Sequence, residues 1–165
     1  MKNTHIMYGF LTALAMIILG VLLYVTGNAF SKGGQYLNYV PYIAGILINA
    51  IAFSKANGHN VTFGNVFSSC FKMSAIITLV MLVWSFIFMA LFPQMMEKGL
   101  ETARASMEAK NMTAEQIDQA MKFGTNKIFI AFILIFSNMF QGLIFSLIGA
   151  AIAKKNPQQP KVQAL

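Results

Sequence analysis

The chain has 165 residues, of which 57% are hydrophobic and only 10% are charged. A water-soluble domain carries about 25% charged residues and under half apolar ones, so an ordinary soluble enzyme domain and a disordered chain are both excluded. The single cysteine, Cys70, leaves neither an intrachain disulfide nor a cysteine-based metal cage, and the formal net charge is +7.

The apolar residues are collected in four runs that contain no charged residue. These runs are residues 6–25, 36–53, 73–92 and 128–153. A helix rises about 1.5 Å per residue and the hydrocarbon core is about 30 Å thick, so about 20 residues cross it. The sequence therefore predicts an all-α membrane protein whose four transmembrane helices form a bundle in a single domain, residues 1–155.

The first run has an alternative interpretation as a cleaved signal peptide. Lys2 precedes it, and Val25-Thr26-Gly27 could act as a cleavage site. Its 20 apolar residues exceed the roughly 7–15 of a signal peptide's apolar region, so we expect a retained helix.

The second run is the weakest span, since it contains Asn38, Pro41 and Asn49. Three tyrosines near its start suit the membrane–water boundary, because the ring is apolar and the hydroxyl favours water.

The segment before the third run alternates apolar and polar residues at helical spacing. Phe63, Val66, Phe67 and Cys70 fall on one face. This predicts an amphipathic helix lying in the interface, with Lys72 near the headgroups. The alternative is that the third helix simply begins near Val66 and is extended and tilted.

All five acidic residues lie between the third and fourth runs, together with bases that neutralise them. Thr113 and Gln116 form a possible capping box, so we predict a helical hairpin over residues 94–126, outside the bilayer. Its apolar stripes have no soluble core of their own and are a candidate docking element for a partner: Met96, Leu100, Met107, Ile117 and Met121. Residues 156–165 are expected to be a disordered tail.

Each span has one small or polar face, as helices that associate within lipid require. The predicted close-packing residues are Gly9, Gly20, Gly45, Gly142 and Gly149. An unpaired amide in hydrocarbon is costly, so Asn49, Asn138 and Gln141 are predicted to form hydrogen bonds across helices. The same face, with Ser74 and Thr78, could instead line a path for a solute.

The sequence offers no candidate set for catalysis, a metal or a cofactor. No ionisable side chain other than tyrosine or cysteine lies within a run, and His5 and His59 share no ligand spacing with an acid. The bases form no dense patch for nucleic acid. The two sides of the membrane carry six basic residues each, so their count does not decide the orientation. Lys154 and Lys155 directly follow the last run, which favours cytoplasmic termini and a hairpin on the far side.

Several short motifs together resemble one family, the domain of unknown function 4199 family. They are Tyr8-Gly9, Thr62-Phe63-Gly64, Pro93, the stretch from Met112 to Ile117, and Leu147 to Ile152 followed by two lysines. The resemblance implies four spans, a mixed-charge hairpin before the last, and the inner membrane of Gram-negative bacteria, chiefly Bacteroidota. It implies no established activity and no catalytic residues.

These observations favour a non-catalytic membrane protein that acts as a scaffold or accessory subunit of a larger complex. Its expected partners are the lipid bilayer and other membrane proteins, or further copies of itself. The alternative is a small oligomeric channel or transporter, and a membrane enzyme is a third choice.

Overall fold

The computed structural model describes residues 1–157, with only the backbone of residues 32 and 35; most of the predicted tail, from residue 158, lies outside the described residues. The elements are α1 (His5–Val25), α2 (Lys32–Leu37), α3 (Tyr39–Ala56), α4 (Phe63–Leu91), α5 (Pro93–Glu108), α6 (Ala114–Thr125) and α7 (Lys127–Ile152). Helices α1, α3, α4 and α7 are long and apolar enough to cross a membrane, which indicates a multi-pass membrane protein. The prediction of an all-helical chain with four apolar spans is confirmed for the described residues, which contain no strand.

The four long helices pack side by side around one core. Helix α1 contacts α3 and α4, and α7 contacts the same two helices, so α1 and α7 lie on opposite sides. The core consists of large side chains from α3 and α4, including the fully buried Tyr42, Ile46, Met73 and Ile77. Many outward residues are exposed and apolar, such as Phe132 on α7, as expected of helices that lipid surrounds.

Both described ends of the chain meet at one end of the bundle, called here the termini end. The Lys2 amide donates to Asn57 Oδ1 at 2.8 Å, and the Asn156 amide donates to the His59 carbonyl at 2.7 Å. The α5–α6 hairpin lies at the other end, the hairpin end. There the Tyr24 ring packs against Phe92 with ring centres 4.9 Å apart.

Of the two interpretations of residues 63–72, the structure agrees with the extended third helix and not with a separate interfacial helix. Residues 63–72 are the first part of α4, which runs for 29 residues without interruption after a capping box between Thr62 and Asn65. The apolar face does not lie on lipid headgroups, because Val66 and Cys70 are fully buried in the bundle. No proline or glycine separates this stretch from the span, so the helix continues.

The second span begins later than the predicted residue 36. Ser31 accepts a hydrogen bond from the Gly34 amide and starts the short helix α2, and α3 begins only after Asn38. Gly45 of α3 packs on Thr12 of α1, and the two helices run in opposite directions. By that register α3 begins about 10 Å short of the level at which α1 ends.

The hairpin is built as the sequence indicates, from α5 and α6. Asn111 has a φ of 57°, which reverses the chain, and the Thr113–Gln116 capping box starts α6. Arg104 on α5 forms an ion pair with Asp118 on α6 at 3.1 Å. Ile117 is buried between the helices, so the hairpin has a small apolar core.

Candidate functional site

Asn49 is the central polar side chain of the termini end. It is fully buried on α3 and accepts a hydrogen bond from the Thr4 hydroxyl at 2.6 Å. Its amide nitrogen lies 3.3 Å from Ser69 Oγ on α4 and 3.7 Å from Cys70 Sγ. One side chain thus joins α3, α4 and the residue before α1, and each of its polar atoms has a partner.

A second buried polar group ties the end of α3 to the end of α7. The Ser54 hydroxyl donates to the Lys154 carbonyl, and the His59 Nδ1 atom lies 2.8 Å from the same hydroxyl oxygen. Lys155 then covers the last carbonyls of α7, with Nζ 2.8 Å from the Ala153 carbonyl. These contacts hold the termini end together without an acidic residue.

The sequence pattern does not indicate Thr4, Ser54 or Ser69 as partners. Thr4 and Ser54 flank apolar runs, where a hydroxyl is typical of a polar turn, and Ser69 lies outside the apolar face predicted for residues 63–70. Only the packing of α4 against α3 brings Ser69 to Asn49.

Asn138 and Gln141 differ from the prediction of side-chain hydrogen bonds across helices. The Asn138 amide donates to the Leu134 carbonyl of its own helix at 2.9 Å. Its backbone carbonyl makes the contact between helices, accepting from the Tyr42 hydroxyl at 2.9 Å. The half-buried Gln141 side chain has no hydrogen-bond partner among the described residues. The Asn138 amide thus meets its need for a hydrogen-bond partner within its own helix, and the Tyr42 hydroxyl supplies the contact between α3 and α7 at this level.

Four of the five predicted packing glycines lie where helices approach closely. A Cβ atom on Gly45 would clash with Thr12, and one on Gly142 would lie 2.5 Å from Ser74 Cβ. Added Cβ atoms on Gly9 and Gly149 would lie 3.0 Å from Ile76 and 3.2 Å from Ala50. These contacts join α1, α3, α4 and α7 in pairs.

Gly20 is the exception among these glycines. A Cβ atom there would meet nothing within 4 Å among the described residues, because Gly20 borders a cavity rather than a helix. The prediction that it is a packing residue is therefore wrong. Helix α3 begins closer to the termini end than the level of Gly20, so no residue of α3 is present to pack on this glycine.

Two of the residues that could line a solute path, Ser74 and Thr78, are buried within the bundle. The Ser74 hydroxyl donates to the Cys70 carbonyl at 3.2 Å, and the Thr78 hydroxyl donates to the Ser74 carbonyl at 2.8 Å. Both bonds lie within α4, and both side chains are buried. Gly142 of α7 packs directly against Ser74 at this position.

The candidate docking residues are partly or fully covered by neighbouring side chains of the chain itself. Ile117 is 6% exposed. The other four are half-buried: Met96, Leu100, Met107 and Met121. The apolar stripes of α5 and α6 face one another, since amphipathic helices joined by a short turn bury their apolar faces together. The exposed surface of the hairpin is mostly polar and charged, with Phe123 of α6 as an exposed aromatic side chain.

The reactive side chains are dispersed. His5 lies at the start of α1, His59 contacts Ser54, and Cys70 is buried with its thiol 3.7 Å from the Ile46 carbonyl. Among the described residues, no three histidine, cysteine or acidic side chains lie close enough to hold a metal ion.

Comparison with known proteins identifies the family of this chain. Neither the curated proteins nor the solved structures include a significant match to this chain. The model of a family of proteins of unknown function, DUF4199, matches residues 7–155, which cover all four spans and the hairpin. The chain therefore belongs to the DUF4199 family.

Proposed function

We propose that this protein is a non-catalytic scaffold or accessory subunit of a membrane complex, with the α5–α6 hairpin as the element that partners recognise. The observation that carries the proposal is the difference between the bundle and the hairpin. The bundle is apolar and tightly packed, whereas the hairpin, which follows the third apolar span, has its own small core and a charged surface.

The hairpin suits protein recognition because its surface pattern is rigidly displayed. It contains every acidic residue of the chain, and lysines and one arginine alternate with them. The capping box fixes the start of α6, and the buried Ile117 holds α6 against α5. Charged groups held in a fixed pattern favour a partner with complementary charges and disfavour others.

We place the protein in the inner membrane with cytoplasmic termini and the hairpin on the opposite side. The termini end contains Lys2, Lys55, Lys154 and Lys155 and no acidic residue among those described. Basic residues next to spans favour the cytoplasmic side, whose leaflet is anionic. Membrane-impermeant labelling of cysteines introduced at Lys55 and Glu108 tests this orientation.

The test of the scaffold function is purification from native membranes in a mild detergent. We expect a protein recovered at constant stoichiometry with the natural chain to be lost when a Gly/Ser linker replaces residues 94–126. The control Lys55→Gln changes a charge at the opposite end and should retain that protein. Retention by the linker variant would contradict the proposed role of the hairpin.

The packing of the bundle interior favours a scaffold over a channel that passes solute through a single molecule of the protein. Tyr42, Ile46, Met73 and Ile77 occupy the interior and are fully buried. Purified protein in liposomes should therefore release entrapped solutes no faster than empty liposomes. Release that Ser74→Leu abolished would favour a channel instead.

A further inference from the structure

A polar pocket of about 160 Å³ lies at the termini end of the bundle, between the start of α1 and the first part of α4. Gly9 of α1 packs on Ile76 of α4, and the two helices run in the same direction. His5 and Lys72, each four residues earlier, therefore lie at the same level. Helix α4 already begins at Phe63, about 13 Å before that level. The pocket opens there because no turn of α1 lies beside this part of α4.

The pocket is lined by hydrogen-bond donors. Two of its side chains are basic, His5 and Lys72, and three neutral ones can also donate: Asn3, Asn65 and Ser68. None of the described residues that line it is acidic. His5 is also the first residue of α1, so the positive end of this helix dipole lies at the pocket. A positively charged set of donors without a carboxylate suits an anion.

The Lys72 ammonium group has no counter-ion within the described part of the chain. It forms neither an ion pair nor a hydrogen bond there, and the side chains of His5 and Ser68 form no hydrogen bond either. Lys72 and Ser68 are exposed, so a ligand can reach both groups from outside. Two basic groups that share a pocket disfavour each other's charged form, and an anion between them removes this repulsion.

The level of the pocket indicates where its anion comes from. The apolar run 6–25 begins directly after His5, and the run 73–92 begins directly after Lys72. The pocket therefore lies where two spans begin, which is the level of the lipid headgroups. Leu79 and Val83 follow on the same face of α4 as Lys72 and are 63% and 60% exposed. An apolar surface open to acyl chains thus continues from the pocket into the bilayer.

The size of the pocket limits the group that it can hold. Its volume of about 160 Å³ equals that of about five water molecules in the liquid, at roughly 30 Å³ each. Sites for whole drug-sized molecules are larger, roughly 300–1,000 Å³. A phosphate group, which has one phosphorus and four oxygen atoms, matches the smaller volume.

We propose that this pocket binds a phosphate group and that an anionic phospholipid supplies it. The phosphate oxygens accept hydrogen bonds from Lys72, Ser68 and His5, and the acyl chains extend along the exposed apolar face of α4. A phosphate ester dissolved in water presents the same group to the pocket, so the test separates the two sources.

The test measures ligands bound to the full-length protein in a neutral detergent by native mass spectrometry. The probe is dioctanoyl phosphatidic acid. One matched probe, dioctanoylglycerol, lacks the phosphate, and the other, glycerol 3-phosphate, lacks the chains. We expect one bound phosphatidic acid, and binding about tenfold or more weaker for either matched probe, since a charge-assisted contact and the apolar contacts are each lost. Equally tight binding of glycerol 3-phosphate would overturn the lipid as the source of the phosphate.

Two lysine variants separate the pocket from the general positive charge of the termini end. Lys72→Gln should weaken the binding of phosphatidic acid about tenfold or more, and Lys72→Arg should retain it, because arginine also binds phosphate. Lys55→Gln makes the same change of charge on an exposed residue in the last turn of α3, outside the pocket. It should weaken binding about twofold or less at physiological salt, where distant exposed charges are screened. Thermal melting without ligand verifies that each variant is folded.

Two results would overturn phosphate recognition by this pocket. The first is equal binding of phosphatidic acid and dioctanoylglycerol by the natural protein, a comparison that requires no variant. The second is equal weakening by Lys72→Gln and Lys55→Gln, because the attraction would then be spread over all lysines of the termini end.

Discussion

The contact between α1 and α3 allows a sharp test of the packing. Gly45→Ala adds one methyl group whose carbon would clash with Thr12 Oγ1 and lie 2.7 Å from Thr12 Cγ2. An ordinary contact begins at 3.4 Å, so α1 and α3 must separate by about 1 Å or Thr12 must change its rotamer. Such overpacking costs about 1–3 kcal/mol, against a gain of up to about 1 kcal/mol in helix propensity. We therefore expect a net loss of about 1–2 kcal/mol.

The chain supplies its own control for that substitution. Gly20→Ala adds the same methyl group to the same class of helix, but within 4 Å it meets nothing in the described part of the chain. It should leave stability unchanged or raise it by up to about 1 kcal/mol. Unfolding by titration with SDS in mixed micelles measures both. Thr12→Ala should recover part of the loss in a double variant, because it removes the two atoms that lie closest to the new methyl group. Equal stability of Gly45→Ala and Gly20→Ala would refute the described packing.

Three further predictions use the same preparation. Asn49→Leu should lower the free energy of unfolding by about 1–3 kcal/mol, because the hydroxyls of Thr4 and Ser69 lose their partner. Asn138→Leu should cost less, because the Asn138 amide bonds only within its own helix. Arg104→Gln should change the melting temperature little at any salt concentration, since its ion pair is exposed and such pairs contribute about 0–1 kcal/mol. Cys70 should resist a maleimide in the folded protein and react after unfolding in SDS, while a cysteine at the exposed position of Lys55 should react in both states.

The spans and the hairpin could be predicted from sequence because each depends on local pattern. Twenty uncharged residues favour insertion whatever surrounds them, and the Thr113–Gln116 spacing forms a capping box from four consecutive residues. The limits of α3 and α4 could not be predicted in the same way. Residues 63–72 lie inside the bundle because they pack against α3, and the contact of Ser69 with Asn49 is an example. Such partners are distant in sequence, so a local pattern does not reveal them.

The polar contacts also divide into a part that the sequence predicts and a part that only the packing determines. Burial of Asn49 follows from its place in a span, but its partners follow from the register between helices. Asn138 has the same side chain in a similar setting, yet its amide bonds within α7, and the contact with α3 goes through its backbone carbonyl. Composition predicts that an amide must be satisfied, and only packing determines which atom satisfies it.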